Sequence, residues 1–112
     1  MPGPGGVQPW GWLGFVSNEA STGIEGVTVG MARIAPGDEN PLHIHDNCAE
    51  IMLLLAGSIE HVVGVDVVHL DAGDVLIVPA GMPHQARNVG GETAEMVVVY
   101  NSGRRGFEAL NG

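Results

Sequence analysis

The chain has 112 residues, a formal net charge of −9 at neutral pH and a hydrophobic content of 45%. That is one domain, apolar enough to build a core rather than remain disordered. Its only cations are four arginines (Arg33, Arg87, Arg104 and Arg105) with no lysine. This argues against nucleic acid or an anionic membrane as a partner and removes Schiff-base chemistry by a lysine nucleophile.

Cys48 is the single cysteine, so no intrachain disulfide forms and a reducing compartment fits. No stretch approaches the ~18 consecutive apolar residues of a membrane helix, and the first ten residues lack the basic start and apolar run of a signal peptide. The expected location is the cytoplasm.

Residues 1–9 hold three prolines and three glycines and are expected to be a flexible or extended arm ahead of one domain over 10–112. Residues 10–16 are a candidate strand carrying Trp10, Trp12 and Phe15, whose rings need a surface to bury them, either in the domain or on a neighbouring subunit. Residues 27–34 alternate with a period of two and are expected to be a strand. Pro36-Gly37-Asp38 turns the chain into a short strand over 42–45. Residues 49–56 are apolar on both faces and read as a strand buried on both sides. Further strands are expected over 58–63, 67–70, 75–78, 84–89 and 94–100, separated by Gly- and Pro-containing turns, before a polar tail over 101–112. There is no sustained helical period, and turn signals recur every eight to twelve residues, the pattern of an all-β sandwich or barrel.

Four residues stand out within this frame. His43 and His45 are two apart on an extended segment, so both side chains project to one face. Glu50 opens the next apolar run and reaches the same interior if the chain turns at Asp46-Asn47. His84 follows the rigid turn Pro79-Ala80-Gly81-Met82-Pro83. Three imidazoles and one carboxylate suit one divalent transition metal, whether iron, manganese, nickel, cobalt or zinc.

The spacing of these residues resembles the paired motifs of the cupin family. Gly37, His43, His45, Glu50 and Gly57 fill the first motif, with four residues between His45 and Glu50. Gly73, Pro79, Gly81, His84 and Asn88 fill the second. Together they span about half the chain, with no departure at these positions. The resemblance implies an all-β double-stranded β-helix, the jelly-roll cupin barrel, with His43, His45, Glu50 and His84 as metal ligands. It does not supply a reaction, because that fold hosts many.

Residues in phase with the ligands are expected to wall a substrate pocket: Met52 and Leu54 after Glu50, Ala86 after His84, and Met31, Met96 and Val98 from neighbouring strands. That pocket would be apolar and rich in methionine, with few cationic anchors. His61 and His69 read as surface or core histidines and Cys48 as a buried structural thiol; Arg104 and Arg105 are candidates to anchor an acidic substrate, with a solvated tail the preferred reading. Arg87 is out of phase with His84 and should point away. Asn88 is either a support behind a ligand or a turn brace.

The functional expectation is a metal-dependent enzyme acting on a small oxygenated metabolite. Dioxygenase-like chemistry is preferred, with Glu50 as a ligand that loosens to act as a base. The alternatives are non-redox isomerase, cyclase or lyase chemistry and a non-catalytic small-molecule binder. A homodimer is expected from the apolar strand faces and the Trp10–Trp12 segment.

Overall fold

Each long apolar stretch becomes a strand, and the alternation within it decides which side chains turn inward. The computed structural model describes residues 5–110. In chain order its elements are β1 (Gly5–Gln8), β2 (Gly11–Ser17), α1 (Glu19–Thr22), β3 (Thr28–Ile34), β4 (His43–Ile44), β5 (Glu50–Ala56), β6 (Ser58–Val63), β7 (Asp66–Asp71), β8 (Val75–Val78), β9 (His84–Asn88), β10 (Ala94–Tyr100) and β11 (Glu108–Ala109). They form two antiparallel sheets with strand orders β1-β2-β3-β10-β5-β8 and β11-β4-β9-β6-β7. This is the expected jelly-roll barrel.

The core lies between the sheets. Ile34, Met52, Leu54 and Met96 enter it from the first sheet and Ile59, Leu70 and Ala86 from the second. Each large side chain sealed there stabilises the fold by about 1.5–3 kcal/mol relative to exposure. The step between sheets falls at Gly57, whose φ is 87°. A Cβ there would sit 3.0 Å from the Ala94 backbone, so both conformation and space require glycine.

Four expectations are corrected. The strand expected to be buried on both sides, β5, is buried on one: Met52 and Leu54 face the core while Ile51 and Leu55 are exposed. Part of the arm is ordered: Gly5–Gln8 pairs antiparallel with Gly11–Gly14, because the Pro9-Trp10 turn folds the segment back as a hairpin. Residues 1–4 lie outside the described residues. A helical turn also exists at α1. Asn18 accepts the Ser21 N–H at 2.8 Å and donates its own N–H to Ser21 Oγ at 3.1 Å, a reciprocal cap. One turn is too short to show a helical period. Finally, the tail is not a solvated end throughout, since β11 pairs with β4 and carries its preceding residues onto the site.

Candidate metal centre

The four expected ligands come from three strands and one turn. His43 opens β4 and lies opposite His84, the first residue of β9. His45 follows β4, and Glu50 opens β5 between Val78 and Tyr100. One ligand atom from each of the four lies within 4.8 Å of the others, and all four residues are buried. The cluster can hold a metal ion.

The backbone fixes the tautomers. Nδ1–H of His43 donates to the Pro41 carbonyl at 2.6 Å, that of His45 to Gly106 at 2.7 Å, and that of His84 to Met82 at 2.8 Å. Each neutral ring therefore presents an unprotonated Nε2 to the centre. His45 Nε2 lies 3.1 Å and His84 Nε2 3.3 Å from Glu50 Oε1. Lone pairs facing a carboxylate at this range repel one another unless a metal ion sits among them or protons on the Nε2 atoms make them donors to Glu50. The donor set thus fits a divalent transition metal.

The local fields agree with this assignment. Burial pushes His43 down to about 4, reinforced by His84 and His45, so its ring stays unprotonated and available at neutral pH. Burial alone would raise Glu50, but His45 and His84 override it and hold the carboxyl below the usual carboxylate range. Ligands must be deprotonated to bind metal, and both groups are.

Above the cluster lies a cavity of about 260 Å³. Of the expected pocket residues, Met52, Ala86, Met96 and Val98 line it. Leu54 packs into the core instead, because the cavity reaches only the Glu50–Met52 end of β5. Met31 is also corrected: Thr28, Gly30, Ala32 and Ile34 form the inward set of β3, so Met31 faces outward.

His61 is among the residues that line the cavity. Its ring stacks on His84 at 5.7 Å between centroids, and its Nδ1–H donates to the Val62 carbonyl at 3.0 Å. The other nitrogen is left as an acceptor. Burial lowers the pKa of the ring, opposed by the Val62 carbonyl and Glu50. A two-residue step from Ile59 on an alternating strand was the available signal for its inward direction.

The tail supplies what was expected least. Arg105 and Phe107 line the cavity, and Phe107 stacks on His43 at 5.0 Å. Arg105 therefore corrects its assignment to solvent, and as the one arginine in the cavity lining it agrees with the expectation of few cationic anchors. Its place depends on β11 returning to β4, which no local pattern encodes. Arg104, by contrast, is exposed and pairs with Glu19.

The remaining residues take ordinary places. Arg87 points away and pairs with Glu39 at 3.0 Å, and His69 is exposed beside Asp71. Cys48 is buried, and burial pushes its thiol up against the opposing Gly106 hydrogen bond and Arg105. Asn88 is a brace: its amide donates to the Ile34 and Glu92 carbonyls, and its oxygen accepts from Gly90 N–H.

A small jelly-roll barrel with three histidines and a glutamate converging beneath an internal cavity defines a metal-binding β-barrel class. The chain belongs to the cupin domain family, whose model matches residues 30–100. It is 35% identical over 93 residues to Germin-like protein 3-8 of Oryza sativa subsp. japonica, covering 75% of this chain and 40% of that one. It is 34% identical over 103 residues to Oxalate oxidase GF-2.8 of Triticum aestivum, covering 82% and 45%. The chain thus spans less than half the length of these two relatives. A mutant of Bacillus subtilis oxalate decarboxylase superposes over 96% of this chain and 30% of its own with a TM-score of 0.88 at 19% identity, a likeness of fold.

Proposed function

We propose that the protein is a metal-dependent enzyme acting on a small oxygenated organic metabolite, with oxidation by O2 as the leading chemistry and non-redox isomerase, cyclase or lyase chemistry as the alternative. The observation that carries this reading is the set of three backbone-locked imidazoles whose Nε2 atoms meet the Glu50 carboxylate beneath a cavity. Four protein ligands leave one or two positions on a five- or six-coordinate ion for water, substrate or O2. The metal supplies Lewis acidity and, where redox-active, electron exchange with O2.

The chain's own contribution is holding and exclusion. His43, His45, His84 and Glu50 are the ligands, and Met52, Met96 and Val98 form apolar walls that keep bulk water from a bound substrate. Glu50 acts first as a ligand. Its second role, as a base, requires release from His45 and His84, which hold it below the range of a neutral-pH base. Manganese is the first metal to test, since the oxalate decarboxylase of Bacillus subtilis has Mn(II) centres.

Elemental analysis of protein purified without chelator tests the metal. Oxalate, the substrate named in the wheat relative, is the first compound to screen. Oxygen consumption with release of carbon dioxide and peroxide supports the oxidase reading. Formate and carbon dioxide without oxygen uptake support the lyase. Saturable binding without turnover of any screened acid leaves a binding module.

We also propose a homodimer. Ile51, Leu55, Val75 and Ile77 are 46%, 44%, 55% and 64% exposed on neighbouring strands β5 and β8, with Trp12 and Met31 on the same outer side of that sheet. An apolar strip at the edge of a sheet suits a second copy more than water. For location, no helix among the described residues is long and apolar enough to cross a membrane.

A further inference from the structure

Three of the four arginines pair with a glutamate: Arg33 with Glu95 at 2.9 Å, Arg87 with Glu39 at 3.0 Å and Arg104 with Glu19 at 2.9 Å. Among the described residues Arg105 makes no such pair, in a chain carrying thirteen acidic residues. It is half-buried, and its guanidinium carbon lies 4.9 Å from the Phe15 ring centroid, 5.2 Å from Tyr100 and 5.3 Å from Phe107. Aromatic faces stabilise the cation but accept none of its N–H bonds in the plane of the fork. The side chain lines the cavity, where Glu50 is the one acidic residue in the lining.

We infer that Arg105 is the anion-recognition residue of this cavity and that the substrate is a small carboxylate. The inference rests on the metal-centre reading above and deepens it. A divalent ion with the Glu50 carboxylate leaves one positive charge, and Arg105 adds a second. Two like charges sharing one partly dry cavity are unfavourable until an anion lies between them. The guanidinium fork matches a carboxylate edge with two parallel hydrogen bonds, which makes the recognition geometric as well as electrostatic.

The placement is built rather than incidental. The next residue, Gly106, holds His45 through its carbonyl at 2.7 Å, and Phe107 stacks on His43. The tail tripeptide therefore brings Arg105 into the cavity that His43, Glu50 and His84 also line, so a carboxylate gripped by Arg105 would lie in the same cavity as a bound ion. Phe15 and Tyr100 restrain the side chain from the first sheet, so little rotamer freedom remains to be lost on binding.

The test is calorimetric titration of metal-loaded wild type, Arg105→Met and Arg105→Lys with oxalate, glycolate and acetate, and with oxamide as a neutral analogue of oxalate. Metal content and melting temperature are read for each protein. Loss of a charge-assisted pair should weaken oxalate and glycolate about ten- to a hundredfold in Arg105→Met. Oxamide affinity, metal content and melting temperature should stay unchanged, and Arg105→Lys should recover part of the loss. Equal carboxylate affinities in wild type and Arg105→Met, or no binding of the three acids by wild type, overturns the inference.

If elemental analysis finds no metal and none is taken up, the metal reading fails by its own measurement. The same titrations on the metal-free protein then decide the role of Arg105. Oxalate binding that depends on Arg105 sustains the anion site, and binding that is absent or independent of it ends the proposal.

Discussion

The carbonyl of Gly106 accepts the Nδ1–H of His45 at 2.7 Å, so a candidate metal ligand near the middle of the sequence is oriented by the backbone of the tail. Gly106 N–H in turn donates to Asn47 Oδ1 at 2.7 Å, which closes the tail over the turn between His45 and Glu50. A Cβ at position 106 would run into the Asp46 and Asn47 side chains. Gly106→Val is therefore expected to push the tail outward and free the His45 ring. Partners of metal-bound histidines are worth about ten- to a hundredfold in metal affinity. Competition against a chromophoric chelator should show a loss of that order with an unchanged circular dichroism spectrum. Full affinity in the variant would mean that the tail shifts without releasing His45.

His45→Ala should remove most bound metal while leaving a folded protein. The ring is buried beside Tyr100 at 4.9 Å but is not part of the apolar cluster between the sheets. Elemental analysis after gel filtration checks it, and retained full occupancy would remove His45 from the ligand set.

The metal-free protein should lose stability as the pH falls. The unfolded chain protonates His43 near its ordinary 6.5, whereas the folded chain does so only at about 4. Between these values the unfolded state binds more protons, so stability drops on acidification. Glu50 acts in the same direction: held below its ordinary 4.5 in the fold, its contribution is present above that value and is lost on further acidification. The His43 share is on the order of 3 kcal/mol. Calorimetric melting of the metal-free protein should show a falling melting temperature from pH 7 to pH 4. A flat profile would contradict the burial of a neutral His43.

Leu54→Ala separates core from cavity. Leu54 is 1% exposed and lies in the apolar cluster, so truncation should cost about 2–5 kcal/mol. The melting temperature should fall steeply while metal content per folded chain stays at the wild-type level. A variant with unchanged melting temperature but altered ligand binding would move Leu54 back to the pocket wall.

Ile77→Glu places a charge at the centre of the exposed strip on β8, where Ile77 pairs with Ile51. Sedimentation should show a dimer for the wild type at micromolar concentration and a monomer for the variant. A wild-type monomer removes the homodimer from the functional reading.

Much of this protein could be read along the chain because the relevant signals are local. A period of two identifies β3 without knowledge of its partners, since side chains on a strand alternate whatever the sheet, and Gly- and Pro-containing turns bound the other strands. His43 and His45 share a face for the same reason, and the fixed spacings to Glu50, His84 and their glycines carried the resemblance to the cupin family. Only the tertiary structure decided the rest. Phase along a strand does not say which face is the interior: on β3 the alternation fits either face, and Gly30 and Ala32 rather than Met31 occupy the inner one. It does not say how far along a strand a cavity extends, which separates Met52 from Leu54. It is silent on Arg105, which lies on no strand and meets Phe15 from β2 and Tyr100 from the end of β10. A long-range return such as the pairing of β11 with β4 is a property of the closed barrel, and the residues it carries to the metal centre acquire their roles only when the chain has folded.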